Sequence, residues 1–416
     1  MSDALTWLYL ATLAAATAAR LWLALRQVQH VRAHREAVPA SFAASIPLAA
    51  HQQAADYTVA KNRLGMLEAL VHAAALLVFT LGGLIQWLSQ AWARAFEAGS
   101  LAHGTALLLS VFFLQALIGL PATLARIFGI EARFGFNRMT LGLFLVDLAK
   151  HTLVALALGV PLLVAVLWLM GLADEQWWLY VWALWLAYSV VMMMVYPALI
   201  LPLFNKFTPL AQGELAERVA RLLARCGFKS SGLYLMDGSR RSSHGNAFFT
   251  GFGAAKRIVL FDTLVSRLQP PEVEAVLAHE LGHYRLHHIV KGMALGAAVS
   301  FALLWLLGQL IDKPWFYAGL GVHTPGNAAA LALFLLVVPE FLFFLHPLTS
   351  LYSRAREFEA DAYAVAHADP AELRKALVKL YHDNAATLTP DPLHSAFYDS
   401  HPPAAARIAR LKEAAT

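Results

Sequence analysis

The stretch "AVLAHELGHYRLHH", residues 275–288, contains two histidines four positions apart, with a glutamate directly after the first. Residues four apart share one face of a helix, so His279 and His283 can direct both imidazoles at a single metal ion. Glu280 borders that face and can accept a proton from a water molecule on the metal, as the glutamate of zinc proteases does. The spacing therefore predicts a zinc-dependent hydrolase.

A catalytic zinc ion needs a third protein ligand and keeps one position open for water. The downstream candidates for that ligand are Glu340, Glu357, Glu359 and Asp361. Glu357 and Asp361 lie four apart in "SRAREFEADAYAVA", so one can bind the metal while the other contacts a ligand imidazole. Glu359 is expected to face nearly the opposite way. Glu340 lies inside an apolar run, where an acid that is hydrogen-bonded across helices or faces a wet cavity is the favoured interpretation.

Other reactive or charged side chains have simpler explanations. His287 and His288 are interpreted as histidines at a membrane interface. The single cysteine, Cys226, excludes an internal disulfide and is expected to be a small buried hydrophobe. Arg407 and the other late basic residues are expected to face water or lipid headgroups.

The composition is that of a membrane protein. Of the 416 residues, 59% are hydrophobic and 14% are charged, against roughly a quarter charged in an average soluble domain. The net charge of +5 is spread between apolar runs rather than clustered on one face, which argues against nucleic-acid binding. The lipid bilayer is therefore the expected environment.

Seven segments are apolar enough to cross a bilayer, which takes about 20 residues each. They are predicted at 4–25, 66–92, 105–130, 148–172, 176–203, 291–312 and 327–349. The connections after the first and third spans are rich in Lys and Arg, whereas the alternate connections carry only Arg94 and Lys313. The positive-inside rule then predicts an outside N-terminus, with the C-terminus and the catalytic segment in the cytoplasm.

The fold class predicted from these features is mostly α, a polytopic membrane protein with a small α+β zinc metalloprotease domain. "GELAERVARLLARCGF" has helical periodicity, "GLYLMDG" is a predicted strand, and "NAFFTGFGAAKRIVLF" is typical of two strands joined by a glycine-containing turn. Pro270 and Pro271 suit the first turn of the helix that carries the histidines. The predicted divisions are spans one to five at 1–205, a metalloprotease segment at 206–290, spans six and seven at 291–349, and a C-terminal segment at 350–416.

Blocks along nearly the whole chain resemble one known family. "GSRRSSHGNAFFTGF", "KRIVLFDTL", "HELGHYRLHH", "SRAREFEADAYA" and "SHPPAAARIARL" are similar to blocks of the type I CAAX prenyl endopeptidases. These are integral-membrane zinc proteases that include the yeast a-factor-converting enzyme. "FGFNRMT" and "LFNKFTPL" resemble the family too, in the same order and with the same number of spans.

The resemblance implies a barrel of seven long helices around a large water-filled chamber, and cleavage near the C-terminus of peptides or prenylated CAAX-type proteins. It implies one zinc ion per chain and a role for each residue of the site: zinc ligands His279, His283 and Glu357, general base Glu280, and outer partner Asp361. The strand formed by Asn246, Ala247, Phe248 and Phe249 would lie beside the substrate, where an extended peptide can pair with its edge. His401, in the "SHPP" block, is the candidate donor to the oxyanion.

The sequence departs from the family pattern at one point, which bears on the source of the chain and on whether its natural substrate is prenylated. Eukaryotic members carry a long insertion before the HExxH helix, whereas "FDTLVSRLQPPEVEAVLAHE" passes directly. A bacterial member of the cytoplasmic membrane is therefore expected, with the endoplasmic reticulum membrane as the location in a eukaryote. The alternatives are an HtpX-like quality-control protease, which has fewer spans, and a non-catalytic membrane protein whose structural zinc would need a closed four-ligand site.

Overall fold

The computed structural model describes residues 1–172, 175–230, 232–250 and 257–413, and these are mostly helical. The first helices are α1 (Ser2–Ala33), α2 (Leu48–Phe79), α3 (Leu84–Trp92), α4 (Leu101–Leu124), α5 (Leu141–Gly171), α6 (Trp177–Val195) and α7 (Leu201–Phe204). π-helical turns at Ala125–Glu131 and Tyr196–Ile200 extend α4 and join α6 to α7. The later helices are α8 (Glu214–Arg225), α9 (Asp262–Val265), α10 (Pro270–Arg285), α11 (His288–Leu310), α12 (Pro314–Ala318), α13 (Asn327–Leu342), α14 (His346–His367), α15 (Pro370–Asp383), α16 (Pro392–Tyr398) and α17 (Ala404–Glu413).

Within the described residues, seven helical segments are long and apolar enough to cross a membrane, as the sequence predicts. They are Ser2–Ala33, Leu48–Phe79, Leu101–Glu131, Leu141–Gly171, Trp177–Phe204, His288–Leu310 and Asn327–His367. Each span packs against the next one, and α13 of the seventh span packs against α1, so the spans close into a ring. In each of the first six spans, at most 28% of the most apolar 18-residue stretch is buried. Such exposure on both faces fits a helical wall with lipid on one side and a cavity on the other.

The second span differs from the prediction at 66–92. Its helix covers Leu48–Phe79, and Gly83, with a φ of 75°, separates it from the short helix Leu84–Trp92. Glycine adopts this left-handed conformation without steric cost, so the apolar run is broken there. The polar residues before 66 are helical because α2 packs extensively against α1, and tertiary packing outweighs local composition.

The segment between spans five and six contains a four-stranded sheet. Its strands are β1 (Phe207–Pro209), β2 (Gly232–Met236), β3 (Ala247–Thr250) and β4 (Arg257–Phe261), in the order β1-β2-β4-β3. β2 and β4 are parallel, and the other pairs are antiparallel. The predicted pair of strands is thus β3 and β4, while their connecting turn at 251–256 lies outside the described residues. Among the described strands, β3 lies at the edge of the sheet, with β4 as its one neighbour.

The HExxH residues lie on α10, which begins with a reciprocal capping box between Gln269 and Glu272. Val273 and Leu281 are fully buried on its apolar face, and α10 packs against α8, α14 and α15. A 3-10 turn at Phe343–Leu345 joins α13 to α14 within one long helical segment. The seventh membrane span therefore continues directly into the helix that faces α10.

Candidate active site

Three side chains that the sequence identifies as metal ligands converge between α10 and α14. The Nε2 atoms of His279 and His283 lie 3.2 Å apart. One carboxylate oxygen of Glu357 lies 3.2 Å from Nε2 of His283, and the other lies 3.6 Å from Nε2 of His279. Nitrogen and oxygen ligands bound tetrahedrally to zinc at about 2.05 Å are about 3.3 Å from one another. The three groups therefore have the spacing that a zinc ion requires.

The hydrogen bonds around these atoms leave their lone pairs for a cation. Nδ1 of His279 lies 2.9 Å from Asp361, whose carboxylate accepts the ring N–H, so Nε2 of the neutral ring carries a lone pair. Oε2 of Glu357 is buried and has no hydrogen-bond partner among the described residues. A buried carboxylate oxygen without a hydrogen bond is costly, and a divalent cation bound between it and the two imidazoles removes that cost. Two imidazoles and one carboxylate are a donor set that zinc accepts.

Without a metal, His279 holds an extra proton. Burial disfavours the imidazolium, but the hydrogen bond to Asp361 and the nearby carboxylate of Glu357 outweigh burial and raise the pKa of His279 to about 9. A metal ion must therefore displace a proton from this ring at neutral pH.

Arg407 is a part of the site that the sequence did not reveal. It was expected to face water or headgroups, but it is only 5% exposed. Its Nε and Nη2 atoms donate to the two oxygens of Asp361 at 2.9 and 2.5 Å, which is a bidentate pair. Burial opposes its charge, but the bonds to Asp361 prevail and raise the pKa of Arg407. Arg407 thus fixes the carboxylate that orients His279.

Helical periodicity could have revealed that Arg407 is buried, but not which residue it contacts. Ala404, Ile408 and Leu411 are apolar positions of α17 with helical spacing, and all three are buried. Arg407 lies on the same face of that helix, so the pattern predicts burial for it. A buried arginine needs a carboxylate partner, which in this chain is Asp361.

Glu280 lies beside the ligands and lines the cavities on both sides of them. Burial raises the pKa of the Glu280 carboxyl. A carboxylate whose pKa is raised is a better proton acceptor near neutral pH than an exposed one.

His401, in the segment before α17, reaches the same ligand cluster. Its Nε2 atom lies 3.5 Å from Oε2 of Glu357, and its Nδ1 atom lies 3.0 Å from Oγ of Ser400. The side chain is 65% exposed and borders a cavity next to the ligands. The structure therefore brings His401 to the edge of the site.

His288, which the sequence interpretation assigned to a membrane interface, also contacts the ligand cluster. It is 6% exposed, and its Nδ1 atom lies 2.9 Å from Nδ1 of His283. Its Nε2 atom lies 2.8 Å from Oε2 of Glu359, the carboxylate that was expected to face away. The physical reason is a sharp turn: His287 has a φ of 57°, so α11 begins with His288 immediately after α10 ends. His287 itself is exposed.

Glu340 lies elsewhere in the protein and is bonded across helices. It is fully buried on α13, and both of its oxygens are bonded. Arg20 on α1 donates to it at 2.7 and 3.3 Å, and Nε2 of His72 on α2 lies 3.0 Å from it. These contacts make Glu340 a link between three spans.

The edge strand β3 runs between two cavities that meet at the ligand cluster. The smaller cavity, about 140 Å³, is bordered by Asn246 and Ala247 at the beginning of the strand. The larger cavity, about 390 Å³, is bordered by Phe248 and Phe249. Both cavities are lined by Glu280 and the third ligand, so a peptide beside β3 would cross the ligand cluster.

A ring of membrane spans, together with a His-His-Glu cluster and a half-buried glutamate beside it, defines an integral-membrane metallopeptidase. Comparison with known families agrees. Residues 27–206 match the model described as CAAX prenyl protease N-terminal, five membrane helices, and residues 209–415 match Peptidase family M48. The N-terminal match extends from the end of the first span through the fifth.

Individual relatives are similar over most of their length. The CAAX prenyl protease 1 homolog of Arabidopsis thaliana is 37% identical over 307 residues, which are 74% of this chain and 72% of the relative. CAAX prenyl protease 1 of Saccharomyces cerevisiae is 35% identical over 314 residues, 72% of this chain and 69% of the relative. The crystal structure of S. mikatae Ste24p covers 98% of both chains with a TM-score of 0.89 and 30% identity. The chain belongs to the CAAX prenyl protease family and is a multi-pass membrane metalloendopeptidase whose spans form a barrel-like chamber.

Proposed function

We propose that this chain uses one zinc ion to hydrolyse peptide bonds near the C-terminus of prenylated, CAAX-type substrates. The observation that carries the proposal is the triangle of His279, His283 and Glu357 at tetrahedral spacing, with the half-buried Glu280 beside it. The names of the relatives from Arabidopsis thaliana and Saccharomyces cerevisiae support the substrate class.

Glu280 is the proton carrier of the reaction. Zinc, when bound, supplies a Lewis acid that makes water acidic near neutral pH and polarises the scissile carbonyl. The Glu280 carboxylate accepts a proton from the attacking water and then delivers it to the leaving amide nitrogen. The raised pKa of Glu280 suits both steps, because the carboxyl must hold the proton between them.

His401 and Arg407 assist through hydrogen bonds. Nδ1 of His401 accepts a hydrogen bond from Oγ of Ser400, so Nε2 carries the proton and donates to the oxyanion of the substrate. Arg407 holds Asp361 in contact with Nδ1 of His279, which keeps Nε2 of that ring directed at the metal.

The substrate binds as an extended strand along β3, antiparallel to it. The smaller cavity, also lined by Leu264 and Leu377, accepts the aliphatic side chain that follows the cleaved bond. The larger cavity accepts the prenylated cysteine before that bond. Its wall includes Ile289, near the start of a membrane span, and Tyr352. Backbone pairing with Asn246 and Phe248 holds the peptide while reading few side chains.

We assign the metalloprotease segment, 206–290, and the C-terminal segment, 350–416, to the cytoplasmic side of the membrane. The orientation is supported by seven crossings and by the basic residues near the facing ends of spans one and two and in the connection after span three, which are Arg26, Arg32, Arg35, Lys61, Arg63, Arg133 and Arg138. The membrane would be the inner membrane of a bacterium or the endoplasmic reticulum of a eukaryote. The segments 1–205 and 291–349 supply the wall of the chamber.

The test is cleavage of a farnesylated CAAX peptide by the purified full-length protein and its Glu280→Gln variant. We expect the variant to keep its zinc and to lose about 10²- to 10⁴-fold in kcat, the range for removal of a general base. Glu372→Gln, on α15 and bonded to Lys375, is the control and should behave like the wild type. Equal turnover by Glu280→Gln would remove Glu280 from the mechanism. Equal kcat/KM for the same peptide without its farnesyl group would remove the lipid from the proposal.

A further inference from the structure

The two histidine ligands are held by different kinds of partner. Nδ1 of His279 contacts a carboxylate directly, that of Asp361 at 2.9 Å. Nδ1 of His283 instead contacts another imidazole, that of His288, also at 2.9 Å. The far nitrogen of His288, Nε2, lies 2.8 Å from Oε2 of Glu359. His283 is therefore connected to a carboxylate through one intervening ring.

We propose that His288 and Glu359 are positioning residues that hold His283 in the tautomer able to bind the metal. This inference rests on the proposed zinc site. A ring that binds a metal through Nε2 carries its proton on Nδ1. That proton is donated to Nδ1 of His288, so His288 carries its own proton on Nε2 and donates it to Glu359. Because a carboxylate only accepts, Glu359 sets the direction of both hydrogen bonds.

The fold explains how a carboxylate on the far side of α14 can act on the site. Residues two apart on a helix point about 200° away from each other, so Glu359 faces away from Glu357 and Asp361. The first turn of α11 spans that gap, because its first residue, His288, is buried between the two helices. Nη1 of Arg356 donates to the backbone carbonyl of His288 at 3.0 Å and fixes the start of α11 against α14.

The two supports differ in exposure, and this difference predicts the size of each effect. The side chain of Asp361 is 7% exposed, whereas that of Glu359 is 52% exposed. A hydrogen bond to a solvated carboxylate contributes less, because water competes for both partners. Removal of the buried His288 ring should therefore weaken metal binding more than removal of Glu359.

The experiment measures how fast full-length protein in detergent loses zinc to a chelator, together with the visible spectrum of the cobalt-substituted protein. The variants are His288→Phe, His288→Asn, Glu359→Ala and Glu359→Gln, with His287→Asn as the exposed neighbouring control. We expect His288→Phe to lose zinc about 10- to 100-fold faster, as found for outer partners of metal ligands. Glu359→Ala should show a smaller acceleration and Glu359→Gln almost none, because the amide oxygen still accepts from His288.

The His288→Asn variant distinguishes two roles for His288: a hydrogen-bond relay from His283 to Glu359, or simple packing. The Oδ1 atom of asparagine occupies the position of Nδ1 and can accept from His283, but it cannot reach Glu359. His288→Asn should therefore retain zinc better than His288→Phe, and Glu359→Ala should have no further effect in that background. Additive effects of these two changes would overturn the relay, as would wild-type zinc retention in both His288→Phe and Glu359→Ala.

The remaining outcomes distinguish failure of this inference from failure of the proposed function. If His288→Phe does not fold, the half-exposed Glu359 still carries the test, because its side chain contributes little to the core. If the wild type binds neither zinc nor cobalt, the proposed function fails. If the wild type binds metal and all five variants release it at the same rate, this inference alone fails.

Discussion

Two buried carboxylates, Glu340 and Glu357, lie in the same long helical segment but in opposite states. Both oxygens of Glu340 are bonded, to Arg20 and His72 on neighbouring spans. Oε2 of Glu357 has no hydrogen-bond partner among the described residues and faces two imidazoles. Protein groups satisfy both oxygens of the first carboxylate, whereas the second keeps one oxygen available for a metal ion. Burial alone therefore does not mark a functional acid, but an unsatisfied oxygen among converging lone pairs does.

The strongest test of the difference between the two carboxylates is to remove Glu357, the one with the unsatisfied oxygen. Glu357→Ala removes one of three ligands, so we expect zinc to be lost on purification and turnover to fall to background. Metal analysis of the purified protein, together with peptide cleavage, measures both effects. Glu372→Ala is the control, because its carboxylate lies on α15 and bonds Lys375. Full zinc content in Glu357→Ala would mean that another group completes the site.

A smaller loss of zinc affinity is expected when Arg407, which holds Asp361 behind the ligand His279, is replaced. Arg407→Leu leaves Asp361 without its bidentate partner, so His279 is less firmly oriented. We expect zinc affinity to fall about 10- to 100-fold, measured by competition with a chelator. Arg407→Lys keeps the charge but cannot make both hydrogen bonds, so its affinity should be intermediate. Wild-type affinity in Arg407→Leu would confine this arginine to a packing role.

The sequence predicted the metal cluster better than its support, and the reason is the range of the contacts. Two ligands on one helix follow from the spacing of His279 and His283. The helical pair of acids left Glu357 and Asp361 as candidates for the third, and only the family resemblance implied Glu357. Asp361, the direct support of His279, was also expected, but Arg407 behind it and the first residue of α11 behind His283 come from elsewhere in the chain. Sequence periodicity does not predict these contacts, because they depend on how α10, α14 and α17 pack.

The predicted bounds of the second span were wrong for the same reason, because they too depend on packing between distant parts of the chain. Hydropathy placed it at 66–92, because the most apolar stretch there is continuous in sequence. The helix actually ends at Phe79, and its polar first half is held by α1. The predicted number of spans was nevertheless confirmed, since each long apolar run still contains one crossing.

A third expected effect is the dependence of metal affinity on pH. The pKa of His279 is about 9 without metal, well above its usual 6.5, so the ring is protonated at neutral pH and must lose a proton to bind zinc. Apparent zinc affinity should therefore rise by about tenfold per pH unit up to pH 9 for one displaced proton, and then level off. Chelator competition at buffered zinc between pH 6.5 and 9.5 measures this. An affinity that does not change over that range would contradict the protonated ring.

The smallest effect on metal binding is expected at Glu340, where the comparison predicts a loss of stability alone. Glu340→Ala leaves Arg20 and His72 without their partner, and removal of one member of a buried pair costs about 3–5 kcal/mol. Arg20 and His72 are 20% and 47% exposed, so solvent screening should reduce that cost to roughly 1–3 kcal/mol. Thermal unfolding in detergent measures it.

Glu340→Gln keeps a hydrogen-bonding oxygen and should be less destabilised than Glu340→Ala. Both variants should contain as much zinc per folded chain as the wild type and cleave peptide at the same kcat, because no contact links Glu340 to the ligands. Loss of zinc from folded Glu340→Ala would show that the membrane cluster and the metal cluster are coupled. The distinction between a complete and an incomplete carboxylate would then fail in this protein.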